Sequence, residues 1–230
     1  MRFLLALLIL FSISLTAQES EFTFRKFDVG ASFGLNVSNV IAKSNDTVFS
    51  KDFSPRVTGH FGMRLIYNPY AFLSIRSGFT FNVRGYKLKE DIYFRSSRPI
   101  ETEFIFSSAY IDFPLVAQFN IMPDTEVGGM FLRGGGYYGI AIGGGTAVKT
   151  DEKSSLPQTT PQNFSIGNSK TDDLRKGDYG VTLGWGFEFR TFEVALAWDI
   201  GLANISNNTS NGFYANNRLF RIDVVVFVLH

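Results

Sequence analysis

Charged residues in the middle of alternating apolar segments are the first side chains in this sequence that could do chemistry. Five are arginines and six are carboxylates, whereas the lysines lie in loops, in the N-terminal stretch or at segment ends. The planar guanidinium of arginine suits buried pairing with carboxylates. Because the two signs nearly balance, as a buried network requires, we predict a structural polar network. Its predicted members are Asp28, Arg64, Arg76, Arg84, Asp112, Arg133, Glu188, Glu193, Asp199, Arg221 and Asp223.

Histidine offers a second kind of chemistry, because it can activate a serine nucleophile. The chain has two histidines, His60 and the terminal His230. A hydrolase would need His60 next to a serine of the same face, and the candidates are Ser32, Ser74 and Ser108. Small serines are expected on a crowded face in any case, and no carboxylate pair has a distinctive spacing. We therefore predict no catalytic residue and keep a lipid-modifying or hydrolytic enzyme as an alternative.

Motifs for binding phosphates or metals are weak throughout the chain. The glycines at 134–136, 139 and 143–145 lack the Gly-Lys-Ser/Thr ending and the helix of a phosphate-binding loop. The acidic residues at 124, 126, 172 and 173 are typical of solvated turns rather than of a calcium site. The chain has no cysteine, which excludes thiolate nucleophiles and zinc–thiolate sites. We predict no cofactor and no metal.

The composition favours β structure with crowded interior positions. The chain of 230 residues carries 25 Phe, 9 Tyr and 22 Gly but only 7 Pro, and 19% of its residues are charged, below the usual quarter or so. The net charge is +1, so no basic surface for nucleic acid is expected.

Eight segments alternate between apolar and polar residues, which is the pattern of β-strands. In residues 178–190 every second residue from Tyr179 to Phe189 is apolar, and residues 192–202 repeat the pattern after a tight turn. The predicted strands are 27–37, 56–67, 71–87, 104–119, 129–142, 178–190, 192–202 and 218–230. They are long enough to cross a bilayer at a tilt, for which about 9–11 residues suffice.

The connections alternate between short and long, which is the layout of outer-membrane barrels. Long connections follow the first, third, fifth and seventh strands, and the longest covers residues 143–177. The alternation resumes after every loop, so residues 18–230 are predicted to form one domain. The predicted fold is an all-β, eight-stranded, antiparallel up-and-down transmembrane barrel with a filled polar lumen.

The volume of the apolar side chains decides which face points outward. The apolar faces carry about forty large side chains, whereas an eight-stranded barrel holds only about a dozen inside. Five arginines facing lipid would cost about 10–20 kcal/mol, at about 2–4 kcal/mol each, which rivals the stability of a whole domain. The polar face, with its glycines, should therefore line the lumen. Aromatic residues near the strand ends, such as Tyr70, Tyr86 and Tyr179, are expected in interfacial girdles.

The first residues have the features of a targeting segment rather than of the folded domain. One arginine precedes a short apolar run that ends at Ala17, which is the pattern of a secretory signal peptide. We predict a signal peptide over 1–17. The run is too short for a transmembrane helix, which needs about 20 apolar residues.

Several segments carry a resemblance to a known family. They are 29–36 with Gly30, Gly34 and Asn36, then 72–81, 110–116, 134–139 and 201–205. From about residue 27 onward the chain resembles the PorT-like outer-membrane β-barrel family of the Bacteroidota. That family is named after a protein needed for type IX secretion. The terminal His230 departs from the aromatic ending that is usual in such barrels.

The expected protein is a closed, non-enzymatic barrel in the outer membrane of a Gram-negative bacterium. Its expected partners are outer-membrane lipid and a protein of the envelope, with no nucleic acid. We predict protein–protein contact through the loops or the outer wall, with 143–177 as the predicted contact surface. An accessory role in a type IX-like secretion or envelope-assembly machine is the form that the resemblance implies. A purely structural or adhesive barrel and a soluble ligand-binding barrel remain as further alternatives.

Overall fold

Eight long strands make up most of the chain. The computed structural model describes residues 25–44, 47–48, 53–92, 100–121, 129–150 and 162–229; the predicted signal peptide and His230 lie outside the described residues. The strands are β1 (Phe27–Ser44), β2 (Phe53–Tyr70), β3 (Leu73–Ile92), β4 (Ile100–Asn120), β5 (Gly129–Thr150), β6 (Gly177–Glu188), β7 (Phe192–Gly201) and β8 (Tyr214–Leu229). Smaller elements are Thr47–Val48, Gln162–Asn163, Ile166–Gly167, Leu174–Arg175 and the 3-10 turn Ser210–Gly212.

The eight strands close into a barrel. Each long strand pairs antiparallel with its neighbours in sequence, and β8 pairs with β1 from Val29↔Leu229 to Lys43↔Tyr214. This up-and-down closure leaves no free edge in the wall. The predicted all-β, eight-stranded antiparallel barrel is confirmed. We call the end with the short connections 71–72 and 189–191 the turn end, and the opposite end the loop end.

The strands extend further at the loop end than the alternation predicts. β1 continues to Ser44, β3 to Ile92 and β5 to Thr150, and β8 starts at Tyr214. Residues 143–150 are therefore strand, and the predicted loop boundary at 143 is wrong. The glycines at 143–145 hide the alternation, but β4 holds them in the ladder, for example through Ser107↔Gly145.

The apolar and polar residues separate onto the two faces of the wall. In β6 Leu183 is 55% exposed on the outside, while its neighbour Thr182 is buried inside. The outer wall carries Phe33, Leu35, Phe61, Leu65, Phe113, Leu115, Leu132, Tyr138, Leu183, Trp185, Val194, Trp198, Phe220 and Ile222, all exposed. Soluble monomers rarely expose apolar patches above a few hundred Å². An apolar belt around the barrel is the surface that lipid covers.

Glycines on the inner face make room for large rings from neighbouring strands. A Cβ on Gly186 would lie 2.7 Å from Cζ of Phe131, and one on Gly180 would lie 2.8 Å from Cε1 of Tyr137. Both distances are too short for real carbon contacts. The glycines are therefore required by the packing of the lumen, since side chains at these positions would displace the rings.

Gly78 gives a direct test of this packing. Its φ is +132°, and a Cβ there would collide with the carbonyl oxygen of Met63 on β2. Gly78→Ala should lower the free energy of unfolding in lipid vesicles by at least about 1–2 kcal/mol, the cost of placing an L side chain in that conformation. The matched control is Gly143→Ala, because a Cβ on Gly143 meets nothing within 4 Å. The control should be neutral or stabilise by about 0.4–1 kcal/mol; equal effects would contradict the packing.

Candidate functional site

The predicted network residues lie in the barrel lumen, with one exception. Asp28 lies at the turn end, where its Oδ2 accepts a bond from Asn68 Nδ2 at 2.9 Å and its Oδ1 is 3.8 Å from Arg25. The contacts of Asp28 with Asn68 and Arg25 thus lie at the turn end rather than in the lumen. The other members, Arg64, Arg76, Arg84, Asp112, Arg133, Glu188, Glu193, Asp199, Arg221 and Asp223, take part in ion pairs inside the barrel.

Two arginines share Glu193 in the half of the lumen near the turn end. The Glu193 side chain has no exposed surface; Arg76 Nη1 donates to its Oε2, and Arg133 Nη1 donates to its Oε1 at 2.8 Å. Arg76 Nη2 also binds Oε2 of Glu188 at 2.5 Å. Both guanidinium groups lie 5.7 Å from the centre of the Phe131 ring, within the range of a cation–π contact.

Asp223 contacts three basic side chains in the lumen. Its side chain is fully buried. Oδ1 accepts a bond from Nε2 of His60 at 2.9 Å, and Oδ2 lies 3.2 Å from Nη2 of Arg133 and 3.5 Å from Nη2 of Arg64. The second amino group of Arg64 binds the Thr80 hydroxyl at 2.5 Å. Two arginines and His60 thus converge on one carboxylate.

A relay of amides connects His60 to the loop-end half of the lumen. Asn82 Nδ2 donates to Asp112 Oδ2 at 2.8 Å, and Asn36 Nδ2 donates to Asn82 Oδ1 at 2.7 Å. The remaining oxygen of Asn36 therefore faces Nδ1 of His60 at 2.7 Å. Both ring nitrogens of His60 thus have a hydrogen-bond partner, Asn36 at Nδ1 and Asp223 at Nε2.

Arg84 holds the loop-end half of the lumen together. Nη2 donates to Asp112 Oδ2 at 2.6 Å, and Nη1 pairs with Asp178. Its guanidinium carbon lies 4.6 Å from the centre of the Tyr110 ring and 5.0 Å from that of Tyr137. Asp178 is not among the predicted members of the network, although it pairs with Arg84. The alternation also does not predict that the buried rings of Tyr110, Phe131 and Tyr137 point inward.

The charged side chains of the lumen are paired with one another. The cations are Arg64, Arg76, Arg84, Arg133 and Arg221, and the anions are Asp112, Asp178, Glu188, Glu193, Asp199 and Asp223. Asp199 pairs with Arg221, whose Nε lies 2.9 Å from Oδ2. Burial of a charge is tolerable only with close opposite charges and hydrogen bonds. The ion pairs of these side chains meet that condition.

An apolar cluster covers this network at the loop end, and the connections after β5 and β7 form the lid of this cluster. The buried residues of the cluster are Val40, Ala42, Tyr110, Ala141, Leu174, Ile205 and Ala215, with Phe53, Tyr86, Ile166 and Phe213 packed against them. Leu174, Ile205 and Phe213 come from the connections after β5 and β7, which fold over the mouth. The expected place of Tyr86 in an outer girdle is wrong, because its ring packs in the mouth between Phe53 and Phe106.

The predicted contact loop 143–177 is thus three different parts. Residues 143–150 belong to β5, residues 151–161 lie outside the described residues, and residues 162–176 form part of the lid. Asn163 pairs with Gly145, and the Phe164 amide donates to the Gly144 carbonyl at 2.9 Å. These bonds tie the segment to the barrel wall.

Lowering the pH should loosen the exposed turn of this lid. The Ser165 hydroxyl and the Ser169 amide donate to Asp172 at 2.7 and 2.8 Å and lower the pKa of Asp172 below its ordinary value of 3.8. A lowered carboxyl pKa stabilises the turn above the ordinary value, and this stabilisation is lost as the pH falls through the lowered one. Hydrogen-exchange protection of the Ser169 amide should fall as the pH is lowered below the ordinary carboxyl pKa of 3.8. In the Asp172→Asn variant the protection of the Ser169 amide should not depend on pH in this region. A similar fall in the variant would show that titration of Asp172 is not the cause.

The arrangement of His60 does not suit hydrolysis. Both of its ring nitrogens are engaged, by Asn36 and Asp223, so neither is left to accept a proton from a serine. Within the described ranges no three side chains converge as ligands of a metal ion. The lumen groups pair with one another, which is what a structural network does.

The sequence of residues 16–207 matches the model of the family described as outer membrane protein beta-barrel domain. The chain belongs to this family. Membership places this outer-membrane barrel in the bacterial outer membrane, with its apolar belt in contact with lipid. None of the helical structure in the described part of the chain could span a bilayer.

Several solved structures are similar to this outer-membrane barrel. Ail, the attachment invasion locus protein of Yersinia pestis, is 11% identical with a TM-score of 0.37, and the match covers 89% of this chain and 100% of Ail. OprG of Pseudomonas aeruginosa is 11% identical with a TM-score of 0.40 and coverages of 87% and 92%. Neisserial surface protein A is 12% identical with a TM-score of 0.39 and coverages of 90% and 98%. No curated protein matches the chain.

Proposed function

We propose that this protein is a closed, non-enzymatic outer-membrane barrel that acts by contact with another envelope protein. The observation that carries the proposal is the filled lumen, in which paired charges below the apolar cluster block the path that a solute would need. Only the loop end, the outer wall and the turn end remain as surfaces for function. We place both chain ends in the periplasm and the long loops outside the cell.

The resemblance to the PorT-like family of the Bacteroidota supports a narrower form of the proposal. In that form the barrel is an accessory of a type IX-like secretion or envelope-assembly machine. The support comes from the segments 29–36, 72–81 and 110–116, which specify the barrel type. A deletion strain tests this form: secreted proteins should accumulate in the periplasm, and unchanged secretion would contradict it.

Site-specific photo-crosslinking in cells tests the contact itself. A benzophenone amino acid would replace Thr171 on the lid, Phe61 on the outer wall or Ala71 at the turn end, all of which are exposed. We expect one protein partner to crosslink from Thr171 or Phe61 and not from Ala71, and mass spectrometry would identify it. Crosslinks to lipid alone from Phe61, with none from Thr171, would contradict the proposal and favour a structural barrel.

The enzyme alternative has its own test, because it depends on His60. His60→Gln would remove a catalytic base while keeping a polar side chain of similar length. We expect the phospholipids and lipid A of the outer membrane to be identical in the wild-type and variant strains. A change in either lipid, with the variant folded and present at the normal level, would contradict the non-enzymatic proposal.

A further inference from the structure

A cavity of about 210 Å³ lies under the lid at the loop end. Strands β1 to β4 and β8 form its wall, and the connections after β5 and β7 form its cover. Its apolar lining consists of Val40, Ala42, Phe53, Tyr86, Phe106, Phe164, Leu174, Ile205, Phe213 and Ala215. A dry apolar cavity of about 150 Å³ already takes up benzene. This one is somewhat larger, so it has room for a substituted ring or a short alkyl chain.

Stacked rings give the cavity a preformed wall. The ring centre of Tyr86 is 4.4 Å from that of Phe53 and 4.5 Å from that of Phe106, and Phe106 lies 6.5 Å from Phe164 on the cover. Stacks of this kind hold their members in place. Ligand binding would therefore not have to order the wall, and the smaller loss of conformational entropy favours binding.

A cation that pairs with no carboxylate of the described part of the chain lies beside the cavity. The ladder between β2 and β3 is irregular between Pro55 and His60, and Arg56 in this stretch reaches across the inner face to β4. Its Nη1 donates to the Ser107 hydroxyl and, at 3.3 Å, to the Phe106 carbonyl. Phe106 and Ser107 both line the cavity. No carboxylate among the described residues pairs with Arg56.

The pairing of charges in the lumen makes Arg56 distinctive. The arginines deeper in the lumen are matched by carboxylates, whereas the partners of this half-buried guanidinium among the described residues are a hydroxyl and a carbonyl. A partly desolvated cation of this kind favours an anion nearby. Asp173 also lines the cavity but lies on the cover, where it accepts a bond from the Ser165 amide at 2.9 Å. The lining carboxylate is therefore on the cover, whereas Arg56 reaches the strand side of the cavity through its bonds to Phe106 and Ser107.

We propose that this cavity binds a small anionic amphiphile. The apolar part, a short alkyl chain, fills the space between the stacked rings and the lid, and the anionic head pairs with Arg56. The head is a carboxylate or a phosphate, and the source is either a free short-chain acid or a lipid fragment. This site is independent of the protein contact proposed above, because it lies under the lid rather than on the exposed surface.

Photoaffinity labelling of the whole protein in nanodiscs tests the proposal. A diazirine analogue of octanoate should label peptides that contain residues of the cavity lining, and unlabelled octanoate should compete. Octyl phosphate and octanol, which carry a phosphate and an alcohol head, are tested as competitors in the same way. Competition by octyl phosphate but not by octanoate would assign the site to phosphate-headed lipid fragments, and the reverse would assign it to free acids; either result supports an anionic head.

Two variants and a control make the result specific. Arg56→Gln should weaken competition by octanoate at least tenfold and leave competition by octanol unchanged. Ala215→Leu should reduce labelling by every analogue, because the leucine side chain would fill the cavity. If the Ala215→Leu variant does not fold, Ala42→Leu serves as the cavity-filling variant. Lys87→Gln removes a loop-end cation that pairs with Glu103 at 3.2 Å, and it should change nothing. Labelling confined to the outer wall, or unaffected by the filled cavity, would overturn the proposal.

Discussion

Replacing Asp223 by asparagine is expected to lower the free energy of unfolding by about 3–5 kcal/mol, the usual cost of removing one partner from a buried ion pair. Asp223 has no exposed side-chain surface and faces His60, Arg64 and Arg133. Asparagine keeps the shape but removes the negative charge. The positive charges then repel one another in a region with little water to screen them.

The measurement is reversible unfolding in urea after reconstitution into lipid vesicles, followed by tryptophan fluorescence. The matched control is Glu103→Gln, which also removes one carboxylate from a pair. Glu103 and its partner Lys87 are 20% and 35% exposed, so this change should cost about 0–1 kcal/mol. If both variants lose the same small amount, the lumen network does not hold the barrel together.

Replacing Leu183 by arginine is expected to destabilise the folded state in a bilayer by about 2–4 kcal/mol, the cost of an arginine that faces lipid near the midplane. Leu183 lies midway along β6, and 55% of its surface is exposed on the outer wall. Trp198 on β7 and Gly134 on β5 are its paired neighbours. No lumen carboxylate is on that side of the wall to receive the charge.

Tyr179→Arg is the matched control for this change. Tyr179 lies on the same strand and the same face and is 54% exposed, but it is near the loop end. A charge there can reach the membrane surface, so the cost should fall to about 0–1 kcal/mol. The two variants should behave alike in a soluble barrel, in which both positions face water. Equal costs in the bilayer would therefore contradict a lipid-facing wall.

The alternation of residue types was sufficient to predict the barrel and its faces. Every second residue is apolar in β6 and β7, and the period of two allows only one assignment of inside and outside. The strand ends were harder to predict. The glycines at 143–145 break the pattern, and their place in β5 depends on hydrogen bonds to β4 rather than on their own propensity.

The candidate site was only partly predictable. Residue type indicated which charges pair, because mid-strand arginines need carboxylates. The pattern could not show which partners meet, since these lie on strands far apart in sequence, as Arg76 and Glu193 do. Position alone also misleads at the strand starts, since Asp178 joins the network and Asp28 does not. The lid has no period at all, so its folding over the mouth and the inward turn of Tyr86 depend on tertiary packing.

The most direct test of the account uses the native chain, whose two tryptophans, Trp185 and Trp198, both lie on the outer wall and are 45% and 53% exposed. The protein would be reconstituted into bilayers whose acyl chains carry bromine, a short-range quencher, and titrated with acrylamide from the water phase. We predict strong quenching of both tryptophans by the brominated chains and little by acrylamide. Quenching by acrylamide without quenching by the lipid would contradict a barrel whose apolar face lies in the membrane.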